Sequence, residues 1–242
     1  MEEANKYYTD QKPKMMKNFD KASKKMRTVL NNHFDETKTK DLISRARNEY
    51  ESLIPKLSYI GGKSNIHDFS YIGATWMLAL IKSLEKEGLN EHEIGKILYE
   101  TFEEYIGSMS GFMKWLFKKS FFSKSAQKKW MKHAEKSQSR TYKDDWVFEY
   151  IEGDGKTFDF GINYTECAIC KLYKKLGADR YLPYVCLSDY PMFRGIGVGL
   201  KRTKTIGNDA DLCDFRFKRD AITTDIWPPD NLTEFKKDLN DS

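Results

Sequence analysis

The chain of 242 residues predicts an α+β fold: a helical N-terminal half packed with a C-terminal four-stranded antiparallel sheet, in the order β-β-α-α-β-β, carrying helices on one face. Three observations predict it. Up to about residue 140, apolar positions recur every three or four residues, the period of one helix face. From residue 145 the period becomes two, in "DWVFEYIEGDGKTFDFGINY", as expected of strands with one buried face. Between the two alternating runs stands "EGDGK", a hairpin turn signal.

The elements follow in order. Residues 14–33 and 38–55 are rich in Lys, Glu, Met and Leu at helical spacing, and Pro55 closes the second segment. The glycines, Ser64 and Asn65 of "YIGGKSNIHD" (59–68) mark a loop. "FSYIGATWMLALIKSLEKEGLN" (69–90) is apolar almost all round, which predicts a buried central helix stopped by Gly88 and Asn90. Residues 91–109 form an amphipathic helix with Ile94, Ile97, Leu98 and Phe102 on one face. The stretch "FMKWLFKKSFFSKSAQKKWMKHAEKSQSR" (112–140) is strongly basic, with Trp115, Phe117, Phe121, Phe122 and Trp130 interleaved. Such a composition suits a membrane surface or single-stranded nucleic acid. The preferred reading is a connecting helix with solvated lysines and aromatics packed on the core.

In the C-terminal half, Trp146, Phe148 and Tyr150 fall on one face, with Phe158, Phe160 and Ile162 on the returning strand. Residues 165–177 revert to helical spacing and end at Gly177, and a second short helix covers 178–187, limited by Pro183. Two more strands are expected at 198–205 and 212–218, and an appendage after Pro228 and Pro229. The division is a helical region (1–140), an α+β cysteine-containing core (141–225) and a tail (226–242), forming one integrated unit.

Charged residues at 32% argue for a soluble protein, and aromatics at 14% for an ordered chain. No apolar run approaches the roughly 18–20 residues of a membrane span. "MEEANKYYTDQKPKMMKNF" has no apolar signal core. The expected location is cytoplasmic, where four cysteines are thiols or ligands rather than a disulfide framework. The expected partner is a small-molecule substrate, with no nucleic acid and no membrane span; homo-oligomers stay open.

The cysteines carry the chemistry. In "YTECAIC" (164–170), Thr165 reads as the N-cap of a helix with Cys167 in its first turn, where backbone N–H groups and the helix dipole favour a thiolate. Cys170, one turn later, gains less. Cys186 and Asp189 are three apart and share a helical face if the turn continues that far; a carboxylate there can act as acid or base. On the last strand, alternation puts Cys213, Phe215 and Phe217 on one face and Asp214 and Arg216 on the other. Arg202 suits a substrate carboxylate, which a guanidinium grips with two hydrogen bonds. Plain structural roles compete with each: a buried thiol fills a core, Asp189 caps a turn before Pro191, and Arg202 sits on the surface. A single C-x-x-C knuckle is half a zinc pattern. His33, His67, His92 and His133 show no H-x-x-x-H spacing, although His67 could reach the site through the fold. No cofactor is therefore expected, with zinc or an iron–sulfur cluster the disfavoured rival.

The run 145–217 resembles the L-2-amino-thiazoline-4-carboxylic acid hydrolase family. The matching residues are "DWVFEYIEGDGKTFDFGINYTECAICKLYKKLGA", "PYVCLSDYP", "LKRTKTI" and "CDFRF", preceded by "LIPKLSYIGGKSN" and "GATWMLALIKSLEKEGLNEHEIGKILYE". Order and spacing carry the resemblance; no single motif does. It implies hydrolytic opening of a cyclic amidine, a 2-aminothiazoline carboxylate, to a carbamoyl-cysteine type product. It also implies signature positions at Cys167, Gly177, Cys186, Asp189, Arg202, Thr205, Cys213, Asp214 and Phe215. The chain departs from the family pattern at "NDAD" (208–211), where members commonly carry glycines. The expected catalytic set is Cys167, Cys186, Asp189, Cys213 and Asp214, with Arg202, Thr205 and Arg216 binding substrate and no metal. The alternative is a non-catalytic metal- or small-ligand-binding sensor that uses the four cysteines.

Overall fold

Period-three-to-four patterning gives seven helices in the first half of the computed structural model, which describes residues 2–232 and 235. They are α1 (Glu2–Asp10), α2 (Lys12–Leu30), α3 (Glu36–Leu53), α4 (Asp68–Leu84), α5 (Glu91–Gly107), α6 (Gly111–Phe121) and α7 (Lys124–Ser137). Helix α4 is the centre of this layer. It buries Leu78, Ala79, Leu80 and Ile81 consecutively, so it presents apolar surface to neighbours on every side. Asn90 starts α5 with a capping box: its side chain accepts from Glu93 N–H while Glu93 accepts from Asn90 N–H. Helix α1 was not foreseen, because Tyr8 is the deeply buried side chain among those described there and "EEANKYYTD" has no apolar period.

The basic stretch is two helices rather than one. Ser123 breaks it by capping α7, its hydroxyl accepting from Ala126 N–H at 3.1 Å. Phe121, Phe122 and Trp130 pack against the core as expected. Trp115 and Phe117 do not: both are exposed.

The C-terminal half contains β1 (Val147–Glu152), β2 (Phe160–Glu166), α8 (Ala168–Lys175), α9 (Leu182–Leu187), α10 (Asp189–Gly195), β3 (Gly199–Lys201) and β4 (Cys213–Lys218). The sheet is antiparallel, in the order β1-β2-β4-β3. Directly paired residues share a face: Phe148 with Tyr164, Ile162 with Phe215, Tyr164 with Cys213, and Phe160 and Leu200 with Phe217. That inner face meets Phe121, Phe122 and Phe193, which form an aromatic cluster with Phe160 and Phe217. The protein is thus α+β, with a helical N-terminal half and a four-stranded antiparallel sheet backed by helices.

Two departures from the expected elements bear on the site. Strand β3 stops at Lys201 instead of reaching 205, because the Asp214 carboxylate takes the N–H groups of Thr203 (2.8 Å) and Lys204 (2.7 Å) in place of a ladder partner. Helix α10 follows α9 almost without interruption, since Ser188 keeps helical angles. Pro191 does not prevent it, lying in the first turn where its missing N–H has no intrahelical partner to lose. Among the described residues, no helix is long and apolar enough to cross a membrane.

Candidate active site

Strand β2 runs directly into α8, and the junction is Cys167. Thr165 is not the N-cap; it lies in β2 and its hydroxyl donates to the Val147 carbonyl at 3.3 Å. Cys167 itself holds the N-cap position, with extended angles (φ −126°, ψ 120°). The junction is fixed on both sides. Glu166 pairs with Lys171 and Arg140, and Lys171 also donates to the Lys143 and Asp145 carbonyls, both at 2.9 Å. On the next turn, Tyr173 donates to the Ala74 carbonyl at 2.8 Å, tying α8 to α4.

This placement separates the two thiols of the C-x-x-C. The Cys170 thiol donates to Cys167, and the N–H groups of Cys170 and Ile169 add to the effect; together they draw the Cys167 pKa below the ordinary thiol value against the cost of burial. Neither N–H makes a full capping hydrogen bond. Cys170 is raised for the complementary reason: it gives its proton to the hydrogen bond and is buried. Of this pair, Cys167 is the thiol that loses its proton more readily.

The other two cysteines converge on Thr205. This buried hydroxyl accepts from the Cys213 thiol at 3.6 Å and from Gly207 N–H at 3.3 Å, while Ile206 N–H donates to Cys213 Sγ at 3.2 Å. Cys186 also hydrogen-bonds to Thr205. The turn at 206–208 packs on α9, closely enough that a Cβ on Gly207 would meet Cys186 Sγ at 2.5 Å and the Leu182 carbonyl oxygen at 3.1 Å. Asp209 ends that turn in the left-handed region (φ 62°), a conformation that aspartate tolerates better than most side chains. Burial pushes Cys213 up to about 11. It also pushes Cys186 up, with the Arg202 charge a partial offset. Both are neutral thiols at pH 7.

Arg202 is not on the surface. Its side chain is 1% exposed, donating from Nη1 to Asp189 Oδ2 at 2.6 Å and from Nη2 to the Cys186 carbonyl at 2.9 Å. The guanidinium also lies over the Phe215 and Tyr190 rings, at 4.8 and 5.3 Å. A planar group with five donors can satisfy a carboxylate, a carbonyl and two ring faces at once. Arg202 thereby clamps the α9–α10 junction, which carries Cys186 and Asp189, against the sheet.

The remaining expected residues point elsewhere. Asp214 and Arg216 alternate with Cys213 and Phe215 along β4. Asp214 accepts from Thr203 and Lys204, and Arg216 donates to Asn163 at 2.9 Å and lies over Phe158. The fold therefore brings together Cys167, Cys170, Cys186, Cys213, Asp189, Arg202 and Thr205, and sets Asp214 and Arg216 on the opposite face of the sheet.

Tyr164 is the residue the sequence reading missed. It sits opposite Cys213 in the ladder, and burial, with the nearby Asp189 charge adding to it, raises its pKa well above the usual range. Its hydroxyl thus stays protonated beside the thiols. The signal was available in the register, since Tyr164 shares a face with Ile162 and Cys213. His67 reaches Tyr164, Nε2 lying 3.5 Å from the hydroxyl, within a cage of Trp130, Trp146 and Phe148. A cleft lined by His67, His133, Lys136, Arg140 and Tyr142 opens beyond it, but none of the four cysteines lines that cleft.

Burial holds the His67 pKa down at about 3, so the imidazole is neutral in the folded chain. Unfolded, it would bind a proton below about pH 6.5. Its contribution is therefore intact above that pH and is lost as pH falls toward 3, by about 1.4 kcal/mol per pH unit. The urea midpoint of the wild-type chain should fall more steeply between pH 6 and 4 than that of His67→Gln, as shown by fluorescence melts; parallel curves would show that His67 is not the acid-sensitive group.

An antiparallel sheet backed by helices, with four thiols gathered around a buried arginine–carboxylate pair, defines an α+β protein with a thiol-lined candidate site. Among the described residues, no three His, Cys, Asp or Glu side chains are set to hold a metal ion. Residues 70–217, more than half of the chain, match the L-2-amino-thiazoline-4-carboxylic acid hydrolase family. The chain belongs to that family, and so to a family of hydrolases. Neither a search of curated proteins nor one of solved structures found a match.

Proposed function

We propose that this hydrolase opens a small cyclic amidine, a 2-aminothiazoline carboxylate, with Cys167 as the nucleophile. The observation that carries the reading is the place of Cys167 at the N-cap of α8, beside N–H groups and the Cys170 thiol that draw its pKa down, whereas burial pushes the pKa of Cys186 and Cys213 up. A thiolate is the reactive form, and the amidine carbon between nitrogen and sulfur is the electrophile.

Cys167 Sγ bonds to the ring carbon, and the C=N pair moves to the ring nitrogen, which takes a proton. A nitrogen lone pair then re-forms the C=N bond as the ring C–S bond breaks. The sulfur leaves with that bonding pair and takes a proton as a thiol, giving an isothiourea linked through Cys167. Water then displaces Cys167 and leaves a carbamoyl-cysteine type product, with one water consumed. The neutral thiol of Cys186 and the Asp189 carboxylate are the proton-transfer groups on the Arg202 side of the cluster. Arg202 positions both of them, and the protonated Tyr164 hydroxyl is a donor for charge that develops on the departing atoms. Cytoplasmic location and a small-molecule partner belong to the same reading.

The test is ring opening of 2-aminothiazoline-4-carboxylate, followed by release of free thiol, in the wild type and in Cys167→Ser and Cys186→Ser. Loss in Cys167→Ser with a partial defect in Cys186→Ser is expected. Undiminished turnover in both would remove the thiol mechanism.

A further inference from the structure

Helix α6 is out of keeping with the rest of the surface. Among the described residues, large apolar side chains are strongly exposed at Phe69, Phe112, Met113, Trp115, Leu116, Phe117, Met131 and Ile222. Five of those positions, 112, 113 and 115–117, lie on the 11 residues of α6, none of which is fully buried; Phe121, at its end, is half-buried against the core. An apolar patch concentrated on one element marks a contact surface, whereas scattered exposed residues do not.

Charge identifies the partner. No Asp or Glu occurs between Glu104 and Glu135, whereas Lys114, Lys118, Lys119, Lys124, Lys128, Lys129 and Lys132 all fall there. Beside α6 lies a groove of about 480 Å³ lined by Trp115, Lys118, Lys119, Phe122, Ser123 and Arg219. Lys119 Nζ sits 5.0 Å over the Trp115 ring, and Arg219 donates to the Phe122 carbonyl at 3.0 Å, so both cations are held at the groove. Lys118 is within 3.8 Å of Asp220, a carboxylate that is itself 85% exposed.

We infer that α6 is a membrane-docking helix that lies in the plane of an anionic lipid surface, its aromatic and aliphatic side chains entering the acyl boundary and its lysines, with Arg219, meeting lipid phosphates. At 1.5 Å per residue α6 is roughly 16 Å long, about half of a hydrocarbon core, so it lies on the surface and does not span it. Trp, Phe and Leu beside Lys is the composition of an interfacial helix. A second copy of this chain is a poor occupant. Its own α6 would bring the same three lysines and no carboxylate, and one short helix buries far less than the roughly 800 Å² per partner of a stable interface. Single-stranded nucleic acid would use the aromatics and lysines, but gives no role to Met113 and Leu116.

The test uses the full chain in flotation with vesicles of phosphatidylcholine alone and with about 30% phosphatidylserine, at about 0.1 M and 0.5 M salt. Binding to the anionic vesicles, weakened by salt, is expected. The double variants Phe112→Ser/Trp115→Ser and Lys118→Glu/Lys119→Glu should each bind at least about tenfold more weakly, with unchanged circular dichroism and thermal midpoint. Three results would overturn the inference: no binding to anionic vesicles at low salt, binding that neither variant weakens, or binding to a single-stranded oligonucleotide without binding to vesicles. So would a dimer that Trp115→Ser dissolves while vesicles stay unbound.

Discussion

Arg202→Met is expected to destabilise the protein by about 3 kcal/mol, the lower part of the range for breaking a buried ion pair. The substitution keeps length and apolar volume but removes the bonds to Asp189 and the Cys186 carbonyl and the contacts with Tyr190 and Phe215. Asp189 is 30% exposed and regains some water, which places the effect at the low end. For a chain of this size the thermal midpoint should fall by roughly 6–12 °C. Because Arg202 holds the α9–α10 junction, the loss should be accompanied by faster alkylation of Cys186, measured by peptide mapping. A melting point within about 1 °C of the wild type would show that the pair is not what fixes the junction.

The second large effect is on catalysis. Cys167→Ser is expected to reduce ring opening by at least about a thousandfold, the loss seen when a nucleophile acting with its neighbours is removed. Cys170→Ala should cost less, about tenfold, because it leaves Cys167 in place but removes the thiol that donates to it. The two predictions separate on pH. A depressed Cys167 pKa keeps the wild type active as pH falls toward that value, with activity lost below it as the thiolate is protonated. Removing the Cys170 donor raises the Cys167 pKa, so the acidic limb of kcat/KM should move to higher pH in Cys170→Ala and nowhere in Cys213→Ala.

Much of this site was legible in the chain. The shift from helical to alternating period located the sheet, and the family resemblance singled out Cys167, Cys186, Asp189 and Cys213. Alternation along β4 also anticipated that Cys213 and Asp214 face opposite ways. What the chain concealed was tertiary. Thr165 looked like a cap because its hydroxyl is the usual one, yet β2 runs on to Glu166 and the strand takes Thr165 first. Arg202 reads from the chain as a grip for a substrate carboxylate, with a surface site as the rival; only the fold supplies the internal carboxylate, carbonyl and two rings that hold it. Helix α10 was hidden by Pro191. In the basic stretch, composition showed the lysines and aromatics, but could not tell Phe121, which enters the core, from Phe117, which stays outside.

The most direct measurement is the order in which the four thiols react. The folded chain is treated at neutral pH with iodoacetamide below one equivalent, and the label is located by peptide mass spectrometry. Cys167 should carry nearly all of it, at a rate that persists below the pH at which a free cysteine slows, and 2-aminothiazoline-4-carboxylate should protect it. Label falling first on Cys186 or Cys213, or spread evenly as in the urea-unfolded chain, would contradict the assignment of Cys167 as the reactive thiol.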